Sequence, residues 1–161
     1  MKRIVFFLLG LVLCLGLQAK VLPDVKVENI KGEKVDIRSV VNGKPVIISF
    51  WGVTCKPCIQ ELNTLNENLA DWRKEADFDI VAVSIDDSRF TARARSMVKG
   101  FNWQFHSVFD KNQDLKRAMN VTLTPQVFIV DAKGNIVYSH TGYTPGNELE
   151  LLEKIKTLQA Q

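Results

Sequence analysis

The chain has 161 residues, with 21 Lys plus Arg against 18 Asp plus Glu and a formal net charge of +3. That balance excludes the strongly basic face expected of a nucleic-acid partner. With 46 % apolar and 24 % charged residues, a disordered or collagen-like chain is excluded as well. Cys14, Cys55 and Cys58 are the cysteines; three are too few to staple a small fold, so cysteine chemistry must be local.

Lys2 and Arg3 precede an uncharged apolar run from Ile4 to Leu17. Its 14 residues fall short of the ~20 that a membrane-spanning helix needs. With the small residue Ala19 closing the segment, residues 1–19 are predicted to be a secretory signal peptide and residues 20–161 the mature domain. Cleavage there removes Cys14 and lowers the net charge to +1, leaving Cys55 and Cys58 in a compartment where disulfides persist. A second use of Cys14 stays open, as the lipid-modified N-terminus of an anchored lipoprotein. Leu11-Val12-Leu13-Cys14 loosely resembles that cleavage box, although Leu13 stands where a small residue is usual.

Beyond residue 20 no repeat, low-complexity tract or long linker interrupts the chain. Val25-Lys26-Val27 and Val35-Asp36-Ile37 alternate around Asn29–Glu33 and predict a short exposed hairpin. Pro45–Phe50 is a near-continuous apolar run rich in β-branched residues, the pattern of a strand buried on both faces. Ile59, Leu62, Leu65, Leu69 and Trp72 recur every three or four residues and mark a long amphipathic helix. A second buried strand is predicted at 79–85, then a helix carrying Phe90, Ala94, Met97 and Phe101 on its apolar side, capped by Ser88.

Ser107–Phe109 predicts a short strand and Asp114–Met119 a short helix. Val127–Val130 and Ile136–Ser139 flank the turn Ala132-Lys133-Gly134-Asn135. A last amphipathic helix with Leu149, Leu152, Ile155 and Leu158 follows Pro145-Gly146. Strands alternating with helices predict an α/β fold whose sheet is covered on both faces, with an antiparallel hairpin at its C-terminal end.

The chemistry gathers at Trp51-Gly52-Val53-Thr54-Cys55-Lys56-Pro57-Cys58. A buried strand ends at Phe50 and a helix begins near Pro57, which puts Cys55 at a helix N-terminus. Free N–H groups and the helix dipole there favour a thiolate. Pro57 is tolerated in a first turn because its missing N–H has no partner to lose, and Lys56 adds positive charge. A zinc site needs about four ligands, and beyond this pair the mature chain offers only His106 and His140. A purely structural disulfide closing so short a loop restrains the unfolded chain little. Strand, Cys-x-x-Cys and helix in that order read as a redox motif.

Phe50-Trp51, Cys55-Lys56-Pro57-Cys58, Val83-Ser84-Ile85-Asp86, Asp110, Thr124-Pro125, Phe128, Asp131 and Gly134-Asn135-Ile136 occur in this order. Together they resemble the thioredoxin superfamily, and most closely its secreted TlpA/ResA-like branch, which includes cytochrome c maturation thioredoxins. The resemblance runs from Leu22-Pro23-Asp24 to the final helix. It implies a thioredoxin-like fold, with a central mixed sheet, helices on both faces and an N-terminal β-hairpin extension. It also implies a cis bond at Thr124-Pro125 packed against the disulfide, with Thr124 and Pro125 receiving an extended substrate strand beside Cys55. Trp51 completes that surface by packing beneath it rather than by reacting.

The chain departs from the family pattern at two positions. Cytosolic thioredoxins place a buried Asp two residues before the active-site Trp, where this chain has Ser49; and Thr54 stands where the family usually has Trp. Glu61, three residues after Cys58 and so on the same helical face, is either the substitute proton acceptor or a carboxylate favoured near a helix start by the dipole.

The expectation is therefore a periplasmic or otherwise extracytoplasmic thiol-disulfide oxidoreductase that reduces protein disulfides through Cys55 and Cys58, with Glu61 assisting. It needs no cofactor or metal, acts as a monomer without nucleic acid, and is recharged by a membrane electron donor of the thiol-disulfide interchange type. The rivals are a copper-handling binding protein of the same fold, since thiolates suit Cu(I), and a disulfide oxidase. His106 and His140 are expected near strand ends without a role, and Arg89, Arg93, Arg95 and Lys99 on a solvated helix face.

Overall fold

The computed structural model describes residues 20–160; the expected signal peptide and Cys14 lie outside the described residues. Seven strands form one mixed sheet in the order β2-β1-β5-β4-β3-β6-β7. These are β1 Lys26–Asn29, β2 Lys34–Asp36, β3 Val46–Trp51, β4 Asp79–Ser84, β5 His106–Phe109, β6 Gln126–Val130 and β7 Ile136–Thr141. The helices are α1 Lys56–Glu75, α2 Thr91–Phe101, α3 Asp114–Ala118 and α4 Asn147–Gln159, with a 3-10 turn at Ile37–Val40. Strands β3, β4 and β5 run parallel, while β6 and β7 on one side and β1 and β2 on the other are antiparallel additions.

All six residues of β3 are buried, as its unbroken apolar run requires of a central strand. Side chains alternate across a strand, so successive β3 residues feed two different cores. Ile47 and Trp51 pack with Leu62, Leu65, Leu69 and Trp72 of α1, Ala94 and Val98 of α2, and Leu151, Leu152 and Ile155 of α4. Val46, Ile48 and Phe50 pack on the other face with Leu115 of α3, Met119, Val121, Leu22 and Ile37. Ser49 shares the face of Ile47 and Trp51, toward α1. The β6–β7 turn places Gly134 at φ +90°, which glycine adopts without a Cβ penalty.

Four expectations are corrected. The N-terminal hairpin is not exposed on its own: β1 pairs with β5, Val27 is buried, and Ile37 leaves the strand to enter the second core. Ser88 does not cap α2; the helix starts at Thr91, whose N–H and hydroxyl both bond to the Asp87 carbonyl. Phe90 therefore precedes the helix and is 41 % exposed, and the buried stripe is Thr91, Ala94 and Val98. In α4 the buried stripe is Glu148, Leu151, Leu152 and Ile155, while Leu149 is 58 % exposed. In both helices the periodicity is right and the phase is set by docking.

Candidate active site

Strand β3 ends at Trp51 and the chain turns through Gly52–Thr54, the Cys55 N–H bonding to the Gly52 carbonyl at 3.0 Å. Cys55 is the residue preceding α1, and Pro57 sits in the first turn. Cys55 and Cys58 form a disulfide with their Cα atoms 5.3 Å apart. Cys58 is wholly buried, Cys55 is partly open, and Thr54, Lys56 and Pro57 around it are exposed. A thiol arriving from solvent thus reaches Cys55 first. On reduction, the free N–H groups and the positive end of α1 favour the thiolate at Cys55.

The turn is held from below by Asp86, just after β4. Both its carboxylate oxygens accept from the Val53 N–H, at 3.1 and 3.2 Å, and the Ser84 hydroxyl donates to the same carboxylate at 2.9 Å. Asp86 was legible in sequence only as part of the family pattern Val83–Asp86, with no role attached.

Glu61 lies one turn into α1 beyond Cys58 and is 2 % exposed. Its Oε2 accepts the Ser49 hydroxyl at 2.8 Å. Burial in the low-dielectric core disfavours its charged form and pushes the carboxyl up to about 7, against the Ser49 hydrogen bond, which favours the carboxylate. Ser49 thus partners a carboxylate contributed by another element. The period-2 pattern of β3 was the available signal: it sets Ser49 on the face of Ile47 and Trp51, which α1 covers.

Thr124-Pro125 is a cis peptide. Phe50 pairs with Gln126 in the β3–β6 ladder, so the next residues outward, Trp51 and Pro125, lie at the same end of the sheet. The proline turn and the disulfide accordingly share one rim, on which Leu123 is the most exposed large apolar residue. Trp51 is wholly buried and packs edge-on against Trp103 at 5.0 Å between ring centres.

His106 is exposed at the start of β5, and His140 lies within β7, where its carbonyl accepts from Gln126. Arg95 departs from the expected solvated face: it pairs with Glu28 at 2.8 Å, donates to the Asn29 carbonyl, and lies 4.1 Å over the Phe109 ring. Arg89 precedes α2 and pairs with Asp87. Among the described residues no three His, Cys, Asp or Glu side chains converge to hold a metal ion.

A mixed sheet of this topology, with a Cys-x-x-Cys disulfide at the start of the covering helix and a cis-proline turn at the same end, is that of a thioredoxin-like thiol-disulfide oxidoreductase. A family model described as Redoxin matches residues 18–155, and the chain belongs to that family. It is 30 % identical over 135 residues to the thiol-disulfide oxidoreductase ResA of Geobacillus kaustophilus, covering 83 % of this chain and 75 % of that protein. A thioredoxin-like protein from Porphyromonas gingivalis superposes with a TM-score of 0.76 at 46 % identity, covering 85 % of this chain and 90 % of the other. A Chlorobium tepidum protein described as a thiol:disulfide interchange protein, DsbE, superposes with a TM-score of 0.76 at 26 % identity, covering 87 % and 96 %.

Proposed function

We propose that the protein is an extracytoplasmic reductase of protein disulfides, with Cys55 as nucleophile, Cys58 as resolving thiol and Glu61 as its proton acceptor. The observation that carries this reading is the asymmetry of the pair: a reachable Cys55 at a helix terminus is bonded to a buried Cys58 with a buried carboxyl one turn below.

The Cys55 thiolate attacks a substrate disulfide; one substrate sulfur leaves as a thiolate and a mixed disulfide remains. Cys58 passes its proton to Glu61 and attacks the Cys55 sulfur. The second substrate sulfur leaves as a thiolate and the Cys55–Cys58 disulfide closes, two electrons having passed to the substrate. Thr124 and Pro125 receive the substrate chain on the rim, and Trp51 supports that rim from beneath. Residues 1–19 act as the export signal and Lys20 opens the mature domain. A membrane thiol-disulfide donor restores the dithiol, because such compartments lack a strong reducing buffer. Extracytoplasmic proteins with disulfides, apocytochromes c among them, are the substrate class that the family resemblance supports.

Insulin reduction driven by an artificial donor tests the chemistry. Cys55→Ser is expected to abolish turnover and Cys58→Ser to accumulate the mixed disulfide; ordinary turnover by Cys55→Ser overturns the proposal. Direction is tested by equilibration in thiol buffers. A potential near thioredoxin's, about −270 mV, supports a reductase, and one near about −120 mV makes the protein an oxidase. Stoichiometric Cu(I) retained through a chelating wash, with no disulfide turnover, would establish the copper-binding rival instead. N-terminal sequencing of the exported protein is expected to begin at Lys20; a lipid-modified Cys14 would establish anchoring.

A further inference from the structure

Ser49 is a hydroxyl set in the middle of an apolar wall. It lies on the central strand β3, is fully buried, and shares the α1-facing side of the strand with Ile47 and Trp51. Its partners across the sheet are Ala82 of β4 and Val127 of β6, both members of that same apolar layer. Of these four side chains only Trp51 carries a polar atom, and its Nε1 makes no hydrogen bond. A buried hydroxyl without a partner is costly. The partner that the Ser49 side chain finds is the Glu61 carboxyl, 2.8 Å from Oγ to Oε2. Among the described residues this is also the one hydrogen bond that the Glu61 carboxyl makes.

The two ends of that bond differ in stiffness. Ser49 has a short side chain on a strand whose backbone is paired on both sides, to β4 and to β6. Glu61 has a long side chain with several rotatable bonds, tied otherwise only where it joins α1. The strand therefore fixes the free end of the glutamate, one helical turn beyond the buried Cys58. A carboxyl that takes and returns a proton also needs a neighbour that suits both of its forms. A serine hydroxyl does so, because it donates to a carboxylate and, by turning about its C–O bond, accepts from a carboxylic acid.

We propose that Ser49 is a positioning residue of the redox site, holding the Glu61 carboxyl against β3 in both protonation states so that it stands ready for the Cys58 proton. The inference rests on Glu61 as the acceptor for Cys58; the site is then a thiol and a base, with the base oriented by a third group. The Cys58 proton goes to the Glu61 carboxyl, and Ser49 keeps its own. The titratable groups that bear on Glu61 are Cys58 on its own helix, once reduced, Tyr143 between β7 and α4, and Glu148 in α4. Among the described residues no Lys, Arg or His is ion-paired with it. Burial raises the carboxyl and the Ser49 bond pulls against that rise, so loss of the hydroxyl raises it further.

The test is a carbon NMR titration of the full oxidised protein, together with the pH profile of mixed-disulfide resolution in single turnover. Wild-type Glu61 is expected to titrate at about 7, and the Ser49 Cβ resonance to follow the same midpoint. A Ser49 resonance that ignores that titration overturns the proposal without need of any variant. Ser49→Ala removes the hydroxyl with little change in volume. It is expected to raise the Glu61 midpoint by about one pH unit and to move the acid limb of resolution up equally, slowing resolution about tenfold on the acid side. A wild-type midpoint or a wild-type profile in this variant overturns the proposal. In a Glu61→Gln background the same substitution is expected to change resolution by less than about twofold, because Ser49 acts through Glu61. Equal slowing in both backgrounds would show that Ser49 supports the strand and not the acceptor, and overturns the proposal. If Glu61→Gln itself resolves with the wild-type pH profile, the acceptor reading fails and this proposal falls with it; a slow Glu61→Gln beside an unaffected Ser49→Ala removes Ser49 alone.

Discussion

At Glu61 two effects oppose each other, and their sizes decide the outcome. Burial disfavours the carboxylate, the Ser49 hydroxyl favours it, and the carboxyl is left at about 7 against an ordinary 4.5. A group whose folded-state pKa stands above its unfolded value contributes stability that is fully present below the unfolded value and lost as pH rises through the folded one. The oxidised protein is therefore expected to lose stability between about pH 4.5 and about pH 7 through Glu61, by on the order of 3 kcal/mol. Urea denaturation at pH 5 and pH 8 checks this: Glu61→Gln should remove most of the wild-type drop, and an equal drop in the variant would show that Glu61 is ionised throughout. The oxidised form is the one to use, because its cysteines do not titrate.

At the scale of elements, the N-terminal hairpin and α2 are joined by one side chain. Arg95 projects from α2, pairs with Glu28 of β1, reaches the Asn29 carbonyl and covers the Phe109 ring of β5. Both members of the pair are largely sheltered, but Glu28 also pairs with Lys111, so removing the guanidinium takes away one of two cations together with the cover over the Phe109 ring. Arg95→Ala is expected to cost about 1 to 2 kcal/mol in urea denaturation. Arg93→Ala, on the exposed side of the same helix, should stay within about 0.5 kcal/mol. The two arginines lie about 160° apart around the helix, Arg95 beside Thr91 and Val98 of the buried stripe, so they separate only once docking has set the phase of α2 and placed β1 beside it.

For the whole molecule, the sheet divides the interior into two apolar layers. Leu65 lies in the layer of α1, α2 and α4, and Leu115 in the layer of α3 and the N-terminal segment; both are fully buried. Each Leu→Ala substitution is expected to cost about 2 to 5 kcal/mol. Because the sheet separates the two sites, the double variant should equal the sum within about 0.5 kcal/mol. A larger coupling in a double-mutant cycle would mean that the layers repack together.

The sequence by itself determined the strands and helices whose periodicity was strong. The apolar run through β3, the three-to-four spacing of Leu62, Leu65, Leu69 and Trp72, and the Cys-x-x-Cys at their junction all appear where expected. Periodicity reports which side of an element avoids water, and that much is local. Tertiary structure alone decided which polar groups meet: Ser49 with Glu61 across 12 positions and Arg95 with Glu28 across 67. It also placed Asp86 under the turn before Cys55 and the hairpin at the sheet edge beside β5. Hydrogen bonds and ion pairs act over a few ångströms, so their partners exist only once docking has chosen which elements are neighbours. A one-residue difference in phase, as at Phe90 and Leu149, moves a side chain from core to solvent without disturbing the pattern that predicted the helix.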